Sequence, residues 1–297
     1  MTVQSSTLLI TGASGYLGTS LTRQAVTERE DAPGTVVGTF LSHPTSFPDH
    51  EMVRLDLTDA AAVRCLLTEV QPQTVIHTAS APPAVAQRSV QALEAVIVEG
   101  TRHLAAACAD TGAHLVHLST DVVFDGEGAP YTEDAPLGPL HAYGRAKAAA
   151  EEIVADFCPD AVIVRTSLIY GFEPLDPRTR WVVDSIRTGE PITLFVDEVR
   201  CPVWVEQLAA ALLELAARRE AGIWHVAGPQ ALSRYEFGMR LADFLGVDPA
   251  EITPGVSRQS GLLRPRDCRL DVHKALMRLQ SPLWGVDETL SHLQGRL

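Results

Sequence analysis

The segment Thr7–Gly18, TLLITGASGYLG, constrains this chain more than any other. Its first five residues, TLLIT, read as a buried strand. Gly12 and Gly15 then permit a tight turn whose backbone N–H groups can approach a pyrophosphate. Gly18 lets the following helix lie close against the sheet, and the helix N-terminus adds partial positive charge. A glycine-rich turn alone is often only a turn. Here it occupies the first strand-to-helix junction of the chain, the context that dinucleotide binding requires.

The rest of the chain continues that rhythm. Strands are expected at 35–40 (TVVGTF), 52–55, 74–78 (TVIHT), 114–119 (HLVHLS) and 161–165 (AVIVR). Helices are expected at 15–29, 60–70, 90–110 and 143–157. Near-continuous β-branched runs separated by helices indicate a parallel sheet covered on both faces, the doubly wound α/β class. After Gly171 the elements shorten, with helices expected near 178–188, 206–219 and 233–245 and strands near 192–196 and 222–227. The stretch 254–269 reads as loop, followed by two short helices. These features divide the chain into a dinucleotide-binding domain over 1–171 and a mainly substrate-binding domain over 172–297. Some elements of the second, notably strand 222–227, can return to the first sheet.

Composition narrows the function. The 24 basic and 37 acidic residues give a net charge of −13, which argues against a general binder of nucleic acid or anionic membrane. No apolar run approaches a membrane span, and the first basic residue is Arg23, so no secretory leader is expected. Five scattered cysteines without a CxxC pair support neither a disulfide framework nor a zinc site, and no metal is expected. A cytoplasmic enzyme is the expectation.

Local motifs carry the chemistry. After the second strand, where a carboxylate ordinarily meets a free ribose diol, the chain reads Phe40-Leu41-Ser42-His43. Ser42 and His43 can instead hydrogen-bond a 2′-phosphate, so NADP(H) is expected over NAD. Tyr143 and Lys147 stand four apart, on one face of a helix. Lysine is rare here: 22 of 24 basic residues are arginine. A YxxxK match therefore arises by chance in roughly one such chain in 30. An ammonium beside a phenol favours the phenolate, and such a tyrosine can pass a proton to a carbonyl oxygen. Strand 114–119 ends in Ser119-Thr120-Asp121, where a hydroxyl either meets a substrate oxygen or caps a turn. His114 and His117, three apart on a strand, fall on opposite faces and read as packing residues. Arg258, Arg264, Arg266 and Arg269 form a local basic stretch suited to phosphate oxygens or, equally, to solvent.

Taken together, TGASGYLG, Thr120, Tyr143 and Lys147 resemble the extended short-chain dehydrogenase/reductase family. LSTDVVFDG (118–126) with AYGRAK is similar to its dTDP-4-dehydrorhamnose reductase branch, and RPRDCRLD (264–271) to the RP…L segment of that branch. The resemblance implies a Rossmann-type domain with a small C-terminal domain that holds a nucleotide-diphosphate sugar, and it leaves room for a homodimer. It also implies NADPH-dependent reduction of a 4-keto deoxysugar, with Thr120, Tyr143 and Lys147 as the catalytic set. Gly12, Ser14, Gly15, Tyr16 and Leu17 would line the pyrophosphate, Asp56 and Leu57 the adenine, and Thr78, Ala79 and Ser80 the ribose region. Thr120, Asp121, Arg264 and Arg266 would meet the substrate.

Three positions depart from that pattern. Ile97 replaces an Asn that supports a water relay to the lysine. Val122 and Leu168 replace aromatic residues where the sugar sits. Two other readings therefore stand beside the first: a non-catalytic NADP-binding regulator like the methionine adenosyltransferase β subunit, and a reductase of a non-sugar carbonyl compound.

Overall fold

The computed structural model describes residues 6–27, 34–45, 50–81, 89–261 and 263–295. Seven strands form one parallel sheet. From edge to edge they are Gly222–His225, Val162–Thr166, His114–Thr120, Thr74–His77, Thr7–Thr11, Thr35–Phe40 and Glu51–Arg54. The first strand lies inside the sheet. The chain adds two strands on one side of it and then four on the other, so the order reverses between Thr7–Thr11 and Thr74–His77. In doubly wound sheets ligands bind at such a reversal, beyond the carboxyl ends of the strands. Leu8↔Thr74 and Leu8↔Val36 register the central strands, which aligns those ends.

Alternation along the buried strands feeds both faces of the sheet. Leu9, Val37, Val75, Leu115 and Ile163 join one cluster with Val63, Leu67, Leu104 and Cys108 from helices Ala60–Val70 and Gly100–Thr111. Each such fully buried aliphatic side chain contributes about 1.5–3 kcal/mol. Asp59 caps the first of these helices by accepting from the N–H groups of Ala61 and Ala62, and Gln71 ends it in a left-handed conformation.

The single helix expected over 90–110 is in fact interrupted. Val90–Glu94 and Gly100–Thr111 are joined by a π-helical turn over Ala95–Glu99, in which Gly100 N–H reaches back five residues to Ala95 O. One extra residue is thereby absorbed without ending the helix. Helix Tyr16–Thr27 starts one residue later than expected, and residues 28–29 of that expectation lie outside the described residues.

By compactness the chain divides into two units. One comprises Met1–Ser119, Ala142–Val164 and Ala209–Trp224; the other comprises Thr120–His141, Arg165–Leu208 and His225–Leu297. The second unit is built on two-stranded pairings: Ile169–Tyr170 with Val203–Trp204, Val199–Arg200 with Leu232–Ser233, and Ile192–Phe195 with Ile252–Gly255. Tyr170, Leu232, Phe237, Leu241 and Val286 form one of its cores. The strand Ile252–Gly255 runs two residues into the stretch 254–269 expected as loop. Its Pro254 suits an edge strand, which gives up the ladder N–H that proline lacks. Among the described residues, no helix is long and apolar enough to cross a membrane.

Candidate active site

The glycine turn is closely packed. Gly12 has φ +77°, and a Cβ there would come within 2.7 Å of the backbone N and Cα of Ala79. A Cβ on Gly15 would meet Gly12 O at 3.1 Å. Gly15 N–H donates to Gly12 O at 2.9 Å, and Ala13 N–H to Thr39 O at 2.9 Å, which fixes the turn against the neighbouring strand. Thr78 donates to Thr11 O through both its N–H (3.1 Å) and its hydroxyl (2.8 Å), which brings Thr78 and Ala79 against the turn. Ser14 follows on the turn, and Tyr16 and Leu17 on the first turn of helix Tyr16–Thr27. A cradle closed to any Cβ and floored by backbone fits a dinucleotide pyrophosphate.

Leu57 is buried, and its carbonyl accepts from His103 Nδ1 at 2.9 Å. Asp56 stays exposed and accepts from the N–H (2.9 Å) and hydroxyl (2.7 Å) of Thr58. Ser80 is exposed, as are Ser42 and His43 beyond strand Thr35–Phe40. Sequence reasoning missed one neighbour of that loop. Arg54, at the end of the next strand, donates from Nε to Leu41 O at 3.1 Å and so places a guanidinium beside Ser42. The parallel pair Phe40↔Arg54 makes that contact, and no linear spacing signals it.

Tyr143 and Lys147 stand on helix Ala142–Phe157. Lys147 is buried, donates from Nζ to Leu118 O at 2.5 Å, and has His117 Nε2 at 3.4 Å. Burial lowers its pKa from 10.5 to about 8, although Glu151 acts in the opposite sense. His117 is held well below its ordinary value by burial, Lys147 and His77, and is neutral. His77 is likewise pushed down to about 3 by burial and Lys147. Its ring nitrogens contact the hydroxyls of Thr11 at 2.6 Å and Thr101 at 3.2 Å. His117 therefore packs, as expected, but packs against the lysine; His77 and Glu151 were not singled out from sequence, and Ser119 only as part of the Ser119-Thr120-Asp121 strand end. His114 lies elsewhere, with Nε2 on Glu220 O at 2.9 Å.

Ile97, within the π turn, is buried with Leu93, Ala146 and Ala150, and Tyr143 packs against this cluster. An apolar side chain thus fills the position expected to support a water relay.

Thr120 ends its strand and caps the 3₁₀ turn Asp121–Val123, with Val122 N–H 3.4 Å from its hydroxyl oxygen. Asp121 is buried. It accepts from Ser167 Oγ at 2.6 Å and lies 3.7 Å from Arg200 Nε. Desolvation raises its pKa, opposed by Arg200 and Ser167. The carboxylate expected to face substrate is thus engaged by neighbours in its own unit.

The basic stretch is likewise engaged. Arg266 pairs with Glu127, Arg269 with Asp267 at 2.8 Å, and Arg264 lies 3.7 Å from Glu198. Arg258 is exposed. Arg234, not expected from sequence, opens helix Arg234–Phe244 and donates its N–H to Glu198 O at 2.9 Å. Burial, Arg178 and Arg200 push its pKa down to about 10. No metal-binding group of three or more His, Cys, Asp or Glu occurs among the described residues.

The chain is similar to known proteins over most of its length. A dTDP-4-dehydrorhamnose reductase of Streptomyces griseus is 36% identical over 274 residues, covering 89% of this chain and 84% of that protein. Methionine adenosyltransferase 2 subunit beta of Xenopus tropicalis is 29% identical, covering 92% and 83%. The crystal structure of a hypothetical dTDP-4-dehydrorhamnose reductase from Sulfolobus tokodaii superposes with a TM-score of 0.81 at 28% identity, over 95% of this chain and 98% of that one. The model of the RmlD substrate binding domain matches residues 6–294, so the chain belongs to that family, within the extended short-chain dehydrogenase/reductases.

Proposed function

We propose that this protein is an NADPH-dependent reductase of the 4-keto group of a nucleotide-linked deoxysugar. The observation that carries this reading is the Tyr143–Lys147 pair on one helix, with the lysine tied at 2.5 Å to the carbonyl of Leu118, just before Thr120. The similarity to dTDP-4-dehydrorhamnose reductases supports the substrate class. Net charge −13 accords with a small-molecule enzyme of the cytoplasm rather than a partner of nucleic acid or membrane.

The turn Gly12–Leu17 would hold the pyrophosphate of NADPH, Asp56 and Leu57 the adenine end, and Thr78–Ser80 the ribose region. Ser42, His43 and Arg54 would meet the 2′-phosphate. Bound there, the cofactor supplies a hydride to the carbonyl carbon. Tyr143 donates its phenolic proton to the oxygen that becomes the alcohol. Thr120 hydrogen-bonds the same oxygen. Lys147 stabilises the phenolate that Tyr143 leaves behind and contacts the nicotinamide ribose. Asp121 holds the Thr120 turn in shape through Ser167 and Arg200. Arg264 and Arg234 would receive the substrate diphosphate, with Arg266 held back by Glu127.

The test is incubation with NADPH and a dTDP-4-keto-6-deoxy sugar, followed by mass spectrometry. Consumption of NADPH and a product heavier by two hydrogens is the expected result. Tight NADPH binding with no turnover on any keto-sugar nucleotide would instead establish the regulatory-subunit reading that the β-subunit similarity raises.

A further inference from the structure

The strand that ends at Thr120 holds two residues of one helix. His117 and Ser119, two apart, point to the same face of the sheet, and Leu118 offers its carbonyl between them. On helix Ala142–Phe157, Lys147 and Glu151 are four apart and share a face. Lys147 Nζ meets Leu118 O at 2.5 Å and His117 Nε2 at 3.4 Å, while the Ser119 hydroxyl donates to Glu151 Oε1. Lys147, Glu151, Ser119 and His117 are each at most 4% exposed.

An isolated buried ammonium is unstable, and a lysine so placed gives up its proton unless an anion compensates it. The groups facing Lys147 can be named element by element. The strand offers neutral His117, and the strand Thr74–His77 offers neutral His77 behind it. The helix itself carries Tyr143 one turn before and Glu151 one turn after. Of these, Glu151 alone carries a carboxyl group.

We propose that Glu151 is a positioning residue that acts through Lys147: fixed by the Ser119 hydroxyl one helical turn away, its carboxylate is the counter-ion that keeps the ammonium charged where Tyr143 needs it. The catalytic consequence rests on the function proposed above, but the electrostatic statement does not. The direction agrees, because Glu151 raises the pKa of Lys147 against the larger effect of burial. A carboxylate held by Ser119 one turn from the lysine also explains why an acid occupies an otherwise apolar helix face beside Ala146, Ala150 and Ile153.

The chain has only two lysines, 147 and 274, which makes direct titration practical. Protein labelled with ¹⁵N at lysine Nζ gives two resonances, assigned with Lys274→Arg. In the unmodified chain Lys147 should titrate near pH 8. In Glu151→Gln its proton affinity should fall about tenfold or more, a shift of at least one pH unit. Glu151→Asp should recover most of that shift, and Ser119→Ala should cause a smaller shift in the same direction. The alkaline limb of kcat should move to lower pH in parallel. An unmoved Lys147 titration in folded Glu151→Gln overturns the proposal. Should that variant fail to fold, an unmoved titration in Ser119→Ala does the same. A shifted titration in a protein without reductase activity upholds the counter-ion and removes the proposed function instead.

Discussion

A Cβ placed on Gly18 would lie 2.1 Å from the carbonyl oxygen of Gly12 and 2.8 Å from Ala13 Cα. The obstacle is backbone at both points, so no side-chain rotation relieves it. Gly18→Ala should therefore lower stability by about 1–3 kcal/mol or more and sharply weaken NADPH binding, read by denaturant melts and by titration of cofactor fluorescence. Gly128→Ala serves as the control. Its Cβ would only touch the Tyr131 ring at 3.5 Å, an ordinary contact, and the change should stay within about 0.5 kcal/mol. Equal effects in the two variants would contradict the packing argument.

Tyr143→Phe should lower kcat by about 10²–10⁴ and leave the NADPH dissociation constant nearly unchanged. The hydroxyl is needed only for proton transfer, whereas the pyrophosphate is held by the glycine turn. Near-native turnover would remove Tyr143 from the mechanism.

Cofactor choice should respond to the loop after Phe40. NADPH should be preferred over NADH, and Arg54→Ala should raise KM for NADPH while leaving KM for NADH unchanged. Loss of a charge-assisted contact to phosphate costs about 1.5–3 kcal/mol. Ser42→Asp should reverse the preference by repelling the 2′-phosphate and accepting from a ribose diol. A native enzyme that uses NADH better would show that this loop has been misread.

His77 sets a stability trend with acid. Its pKa is about 3 in the fold against an ordinary 6.5, so the unfolded chain binds more protons throughout that interval. Its contribution to stability is therefore constant above pH 6.5 and falls as pH drops towards 3. Thermal melting between about pH 7 and about pH 5 should show the loss, and His77→Asn should flatten the profile in the same window. An identical slope in the variant would assign the acid sensitivity to other groups.

Dehydration should be absent. Eliminating water across C5–C6 of a sugar needs a base beside the catalytic strand end, and Val122 follows Thr120-Asp121 here. Asp121 cannot take both roles, because Ser167 and Arg200 already engage its carboxylate in a buried setting. Incubation with a 4-hydroxy sugar nucleotide and catalytic NAD⁺, followed by mass spectrometry, should show no product lighter by one water. Such a product would favour a dehydratase.

The parts legible in the sequence were those written in local spacing. Gly12, Gly15 and Gly18 mark the turn because each lacks a Cβ at a fixed offset, and Tyr143 and Lys147 share a face because four residues make about one helical turn. Strands 7–11 and 114–120 announce themselves as short, mainly apolar and largely buried runs. What stayed hidden depends on pairing between distant segments. Arg54 reaches Leu41 only because Phe40 and Arg54 are register partners, and Glu151 meets Ser119 only because helix and strand pack together. Strand Ile252–Gly255 was obscured by its own proline and glycine, and it exists through its partner Ile192–Phe195. The arginines at 264 and 266 looked free because the carboxylates that meet them, Glu198 and Glu127, come from far away in the chain.

The π turn at Ala95–Glu99 also governs which changes of chain length this helix can absorb. One surplus residue puts the segments on either side out of phase by about 100°. Val90–Glu94 accordingly turns Leu93 towards Ala146 and Ala150, while Gly100–Thr111 turns Leu104 and Cys108 towards Val63 and Leu67. Deleting any one residue between 95 and 99 should remove the surplus, restore a regular helix and leave Leu93 facing the surface that backs Tyr143. The π turn is thus the one place in this helix where the chain can lose a residue while the packing behind Tyr143 on helix Ala142–Phe157 stays in position.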